Sequence, residues 1–142
     1  MQSRRIAAML WETMALRSVI VDDNSHFLGA ARDLLEREGI EVVGVASTSA
    51  EAVQLVEQLR PDVTLVDIDL GEESGFDVVR RLVGATDVNA GRIVLISTYA
   101  EKDFADLIAA SPAVGFLSKS DLSAGAIHAL LDSSGTGAAN AG

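Results

Sequence analysis

Five short apolar runs rich in β-branched residues recur along the chain, separated by stretches of a different period. They are SVIVD at 18–22, EVVGVA at 41–46, DVTLVD at 62–67, RIVLIS at 92–97 and VGFLSK at 114–119. Polar residues do not alternate within them, so each reads as a strand covered on both faces, the mark of a parallel sheet. Between the strands, apolar positions fall at helical spacing. Phe27, Ala31, Leu34 and Leu35 mark a first helix, with Ser25 as its cap and Gly39 as its stop. Ala52, Leu55, Val56 and Leu59 mark a second, ended before Pro61; Phe76, Val79, Leu82 and Val83 mark a third, closed by Gly84. Phe104, Leu107 and Ile108 mark a fourth, stopped at Pro112. Leu122, Ala126, Ile127, Leu130 and Leu131 mark a fifth, with Ser120 or Asp121 as the cap.

A strand-helix pair repeated five times predicts an α/β fold with right-handed crossovers and helices on both faces of a parallel sheet. For five such units the common form is the flavodoxin-like, doubly wound sheet in the order 2-1-3-4-5. The expected organisation is an N-terminal extension at 1–17, one domain at 18–132, and a flexible tail or linker start at 133–142, where SSGTGAANAG offers nothing to pack. In the extension, the apolar patch Ile6 to Trp11 is too short for the core of a signal peptide and runs into Glu12. Met14 as an alternative start and an added amphipathic helix both remain open for it. No apolar run approaches a membrane span, so a cytoplasmic protein is expected, with no membrane partner.

Charge and composition exclude several functions. The net charge is −10, which argues against direct nucleic-acid binding by this chain, because phosphate neutralisation needs clustered Lys and Arg. There is no cysteine, and the two histidines, His26 and His128, lie far apart, so disulfides, thiolate sites and structural zinc are not expected.

What remains is a pattern at the strand ends. In an open α/β sheet, ligands bind beyond the carboxyl ends of the strands, where strand order reverses, here between strands one and three. Strand one ends in Asp22-Asp23, strand three in Asp67, strand four in Ser97 and strand five in Lys119, one of only two lysines in the chain. Topology therefore gathers three carboxylates, a hydroxyl and an ammonium at one edge. Crowded carboxylates raise one another's pKa unless a cation intervenes. A small set of hard oxygen ligands suits Mg²⁺, which keeps several waters and accepts a phosphate oxygen. A carboxylate can itself be a nucleophile toward phosphorus, with catalysis supplied by positioning and charge neutralisation.

VDD at 21–23, PDVTLVDIDL at 61–70 followed by Gly75, VLIST at 94–98 and GFLSK at 115–119 together resemble the response-regulator receiver domain of two-component signalling. The resemblance implies that Asp67 is the phosphoacceptor and that Asp22 and Asp23 hold Mg²⁺ with it, Asp69 adding its backbone carbonyl. It implies that Ser97 and Lys119 bind phosphoryl oxygens and that Ser97 and Phe116 are the switch residues. The donor would be a histidine kinase. The surface from helix four to helix five would signal to an output domain missing from this chain, to a downstream protein, or to a second copy as a homodimer. Lys119 followed by Ser-Asp-Leu resembles receivers that precede helix-turn-helix DNA-binding domains, which makes transcriptional control the expected output. No enzyme is implied beyond self-catalysed phosphorylation and dephosphorylation. Three positions depart from the family pattern. Gly71 and Ser120 stand where proline is usual, pointing to a looser loop after Asp69 and to either a cis bond or an altered presentation of Lys119, and Thr98 stands where a smaller residue is usual.

Two alternatives remain. LVDIDL also has the form of haloacid-dehalogenase-like phosphatase motifs, although there the motif ends the first strand. The other is a degenerate receiver that folds as an interaction module without being phosphorylated.

Overall fold

The computed structural model describes residues 15–86 and 92–141, with side chains described as far as residue 132. The N-terminal extension, as far as residue 14, lies outside the described residues. Strands β1 (Leu16–Val21), β2 (Ile40–Ala46), β3 (Val63–Asp67), β4 (Ile93–Ser97) and β5 (Gly115–Ser118) form one parallel sheet in the order β2-β1-β3-β4-β5. Helices α1 (Ser25–Arg37), α2 (Ser49–Leu59), α3 (Gly75–Ala85), α4 (Ala105–Ala110) and α5 (Ala124–Ala141) connect and follow the strands. This is the expected architecture.

Successive strand residues point to opposite faces, which is why continuous apolar runs were needed. Val19, Val21, Val66 and Leu95 enter a core closed by Ala52 and Val56 of α2 and by Phe76, Val79 and Leu82 of α3. Ile20, Leu65, Val94 and Ile96 enter a second core, closed by Ala31 and Leu35 of α1 and by Ala124 and Ile127 of α5. Each buried Val, Leu or Ile stabilises the fold by about 1.5–3 kcal/mol relative to exposure.

The helix ends correct several sequence expectations. Asn24, not Ser25, caps α1: its side chain accepts from the Phe27 amide at 3.0 Å, and Ser25 is already helical. Gly39 does end that helix, at φ +93°, a left-handed conformation that glycine adopts without penalty. Gly84 does not close α3, which continues to Ala85 and ends at Thr86, because packing of Val79 and Leu82 outweighs glycine's weak helix propensity. The fourth helix is reduced to six residues after a 3₁₀ turn at Glu101–Phe104, and it buries no residue; Leu107 is 53% exposed. The cap of α5 is Ser123, whose hydroxyl accepts from the Ala126 amide at 3.0 Å, while Glu38 accepts from the Ala124 amide at 2.7 Å. Ser120 and Asp121 lie instead in a 3₁₀ turn, Lys119–Asp121. Helical backbone continues from 133 to 141, the stretch read as a tail.

Candidate functional site

The site forms at the carboxyl edge of the sheet, where β1 and β3 end side by side and β5 ends beyond β4. Asp22 follows β1 and is fully buried; its amide donates to the Ala46 carbonyl at 2.9 Å, which fixes the turn into α1. Its Oδ1 accepts from the Asn24 amide at 2.8 Å. Its Oδ2 lies 2.6 Å from Lys119 Nζ but has no well-directed hydrogen-bond donor. Asp67 ends β3 and is 6% exposed. Its Oδ1 accepts from the Asp69 amide at 3.1 Å and its Oδ2 from Lys119 Nζ at 3.1 Å. Asp23 is exposed beside them, and carboxylate oxygens of Asp22, Asp23 and Asp67 all lie within 4.8 Å of one another.

Burial drives the Asp67 pKa up to about 6; the Asp22 charge adds to the rise, while the Asp69 amide and Lys119 oppose it. Burial alone would lower the Lys119 pKa, but its close contacts with the Asp22 and Asp67 carboxylates outweigh it and hold the ammonium above its ordinary value. Three clustered carboxylates against one ammonium leave the site short of positive charge. With oxygens of all three carboxylates within 4.8 Å of one another, this donor set fits a small hard cation.

Lys119 reaches this point from a 3₁₀ turn with no cis peptide, so it is presented without the usual proline. Its Nζ sits 4.1 Å above the Phe27 ring, a contact that helps hold a desolvated ammonium. In the sequence, the helical spacing of Phe27 marks it only as core, and its second contact depends on the distant Lys119.

The loop after Asp67 forms a short hairpin. Asp69–Leu70 pairs antiparallel with Glu73–Ser74, and Gly71 turns between them at φ +77°, a conformation closed to proline. The Gly71 amide donates to Asp69 Oδ1 at 3.0 Å. Gly75 is required sterically, since a Cβ there would lie 1.9 Å from the Asp67 carbonyl oxygen.

The remaining expected residues stand nearby. Ser97 ends β4, the strand paired with β3; the residue is 1% exposed, and its hydroxyl accepts from the Tyr99 amide at 2.9 Å. Thr98 and Tyr99 are exposed, and the Tyr99 ring lies 5.8 Å from that of Phe104. Phe116 is 8% exposed, within the same buried cluster as Phe76 and Leu95. A cleft of about 480 Å³ beside Asp69 is walled by Ile68, Tyr99 and Phe104.

The response regulator receiver domain pattern matches residues 19–131. The DNA-binding transcriptional activator EvgA of Escherichia coli strain K12 is 29% identical over 106 residues, covering 75% of this chain and 51% of EvgA. The chain thus spans about half the length of that relative. The solved signal receiver domain of NarL from Mycobacterium tuberculosis superposes with a TM-score of 0.68 at 28% identity, over 83% of this chain and 94% of that one. A response regulator from Burkholderia pseudomallei, solved with a phosphorylated aspartic acid, a calcium ion and citrate, superposes with a TM-score of 0.67 at 27% identity, over 88% of this chain and 72% of that one. On the sheet order, the acid-lysine edge and these matches together, the chain belongs to the response regulator receiver domain family of two-component signalling.

Proposed function

We propose that the chain receives a phosphoryl group on Asp67 from a histidine kinase and passes the signal through its α4-to-α5 surface. The observation that carries this is the buried Asp67 carboxylate at the end of the central strand, with Lys119 on one oxygen and Asp22 and Asp23 within 4.8 Å. In the transfer, an Asp67 oxygen attacks phosphorus of a phosphohistidine. An O–P bond forms, the P–N bond breaks, and the leaving imidazole nitrogen takes up a proton. Asp22, Asp23, Asp67 and the Asp69 carbonyl would hold Mg²⁺, which when bound neutralises charge on the phosphoryl oxygens. Lys119, already beside the Asp67 oxygen, would bind a phosphoryl oxygen from the other side. The family assignment gives the phosphatase alternative no support.

Ser97 would exchange its contact with the Tyr99 amide for one with the phosphoryl group, drawing on the β4–α4 loop. A hydrogen bond to a charged group is worth roughly 1.5–3 kcal/mol, enough to move a two-state equilibrium by about one to two decades. The α4 region suits such a switch because no residue of α4 is buried and both Leu107 and Tyr99 are exposed on it. Phe116, in β5 between α4 and α5, would repack with that change. The signal would go to an output domain outside the chain, a downstream protein or a second copy. The similarity to EvgA supports transcriptional control. No described helix is long and apolar enough to cross a membrane, and the acidic chain would work in the cytoplasm without contacting nucleic acid itself.

The test is intact-mass spectrometry after incubation with acetyl phosphate, with and without Mg²⁺. A Mg²⁺-dependent, base-labile phosphoryl adduct on the wild type, absent from Asp67→Asn, is expected. An adduct that persists in Asp67→Asn would refute the assignment. No adduct from either acetyl phosphate or phosphorylated kinases would leave a degenerate receiver.

A further inference from the structure

The short hairpin after Asp67 has to hold Asp69 in place, and its own pairing is slight: two residue pairs, Asp69 with Ser74 and Leu70 with Glu73, closed by Gly71. Such a ladder does not stand alone in water. Its outer side is tied by Glu73. Glu73 Oε1 accepts from the Ser49 amide at 2.9 Å, and Oε2 accepts from the Ser49 hydroxyl. The Arg81 guanidinium donates to that same hydroxyl and lies 3.7 Å from Glu73 Oε2. One carboxylate thus joins the hairpin to the first residue of α2 and to α3. The Ser49 hydrogen bonds also hold the Glu73 carboxyl below its ordinary pKa, with a smaller contribution from Arg81. Ser49 is 2% exposed, covered in part by the groups that clasp it.

Asp69 lies one pair along the hairpin from Glu73, and its amide donates to Asp67 Oδ1. Motion of the hairpin therefore moves a donor on the phosphoacceptor itself and the carbonyl assigned to the metal. We infer that Glu73 is a positioning residue, clasped by Ser49 and Arg81 so that Asp69 is held in register with Asp67 and the cation. The inference rests on the receiver reading above. It is specific to this loop, since the tie needs a carboxylate on the hairpin, a serine opening α2 and a cation on the second turn of α3.

Two measurements test it on the full chain. Hydrogen exchange without metal should show the amides of Leu70 to Ser74 exchanging faster in Glu73→Ala, with β1 and β3 unchanged. Mg²⁺ titration by calorimetry should show a dissociation constant raised about tenfold, the low end for partners that orient a metal ligand. Saturating Mg²⁺ should restore the phosphorylation rate, a split that a merely destabilised fold would not give. Glu73→Gln keeps an acceptor for the Ser49 amide and should fall between; it carries the test if Glu73→Ala does not fold. Unchanged hairpin exchange overturns the clasp. Faster exchange with unchanged Mg²⁺ affinity overturns the positioning role. A wild type that neither binds Mg²⁺ nor takes phosphate refutes the receiver reading and the metal half of the inference, while hydrogen exchange still decides the clasp.

Discussion

A carboxylate that acts as a nucleophile near neutral pH must be ionised, yet Asp67 is buried beside a second carboxylate, where ionisation is unfavourable. Its pKa near 6 against an ordinary 3.8 means that the folded state binds more protons than the unfolded state between those values. The contribution of Asp67 to stability therefore falls as pH rises from about 4 to about 6, and its full penalty is present at pH 7. At about 1.4 kcal/mol per unit, Asp67→Asn should stabilise the metal-free protein at pH 7 by about 1–3 kcal/mol, with the gain vanishing toward pH 4. Urea unfolding across that range checks it; equal stabilities at pH 7 would contradict the strained acid. The strain is legible in the sequence because three acids and a rare lysine end strands at the same edge of the sheet. Phe27 and Glu73 are not legible in the same way. Each acts through a tertiary contact, to Lys119 and to Ser49 and Arg81, that no local spacing encodes.

Among the elements, the period of the apolar residues located the five strands of the sheet and the five helices, though not the hairpin after Asp67, while the ends depended on single hydrogen bonds. Asn24 and Ser25 are both good caps by type, and the sequence does not rank them. The Asp22 side chain decides it by accepting from the Asn24 amide, which sets where the chain turns and leaves the Asn24 carboxamide on the Phe27 amide. Asn24→Ala should therefore cost about 1 kcal/mol, and Ser25→Ala no more than about 0.5, in chemical denaturation. A larger loss from Ser25→Ala would move the helix start. The fourth helix was the least legible, since three apolar residues in so short a segment cannot say which of them faces the sheet. Phe104 and Ile108 pack on the core, while Leu107 stays out. A helix with so little holding it is a suitable element for a signal to move.

For the whole molecule, strand order was legible because crossover handedness and strand count leave few topologies, and that order is what collects the acids. The acids also give the chain a net charge of −10, so the folded state carries general self-repulsion as well as the local repulsion at the site. The two respond to different ions. Added NaCl screens the general term and should raise the melting temperature modestly in every variant. Mg²⁺ at constant ionic strength adds nothing to screening and can act only by binding. It should stabilise the wild type further, by about 1.4 kcal/mol at ten times its dissociation constant. Asp23 discriminates between the two because it is exposed, so its replacement costs the core nothing, yet it lies within the carboxylate cluster. Asp23→Asn should keep the NaCl response and lose the Mg²⁺-specific one, as read by differential scanning fluorimetry. If Asp23→Asn keeps both, the cation sits elsewhere and the proposed ligand set is wrong. If the wild type shows only the NaCl response, the acids at the strand ends repel one another without a metal to hold.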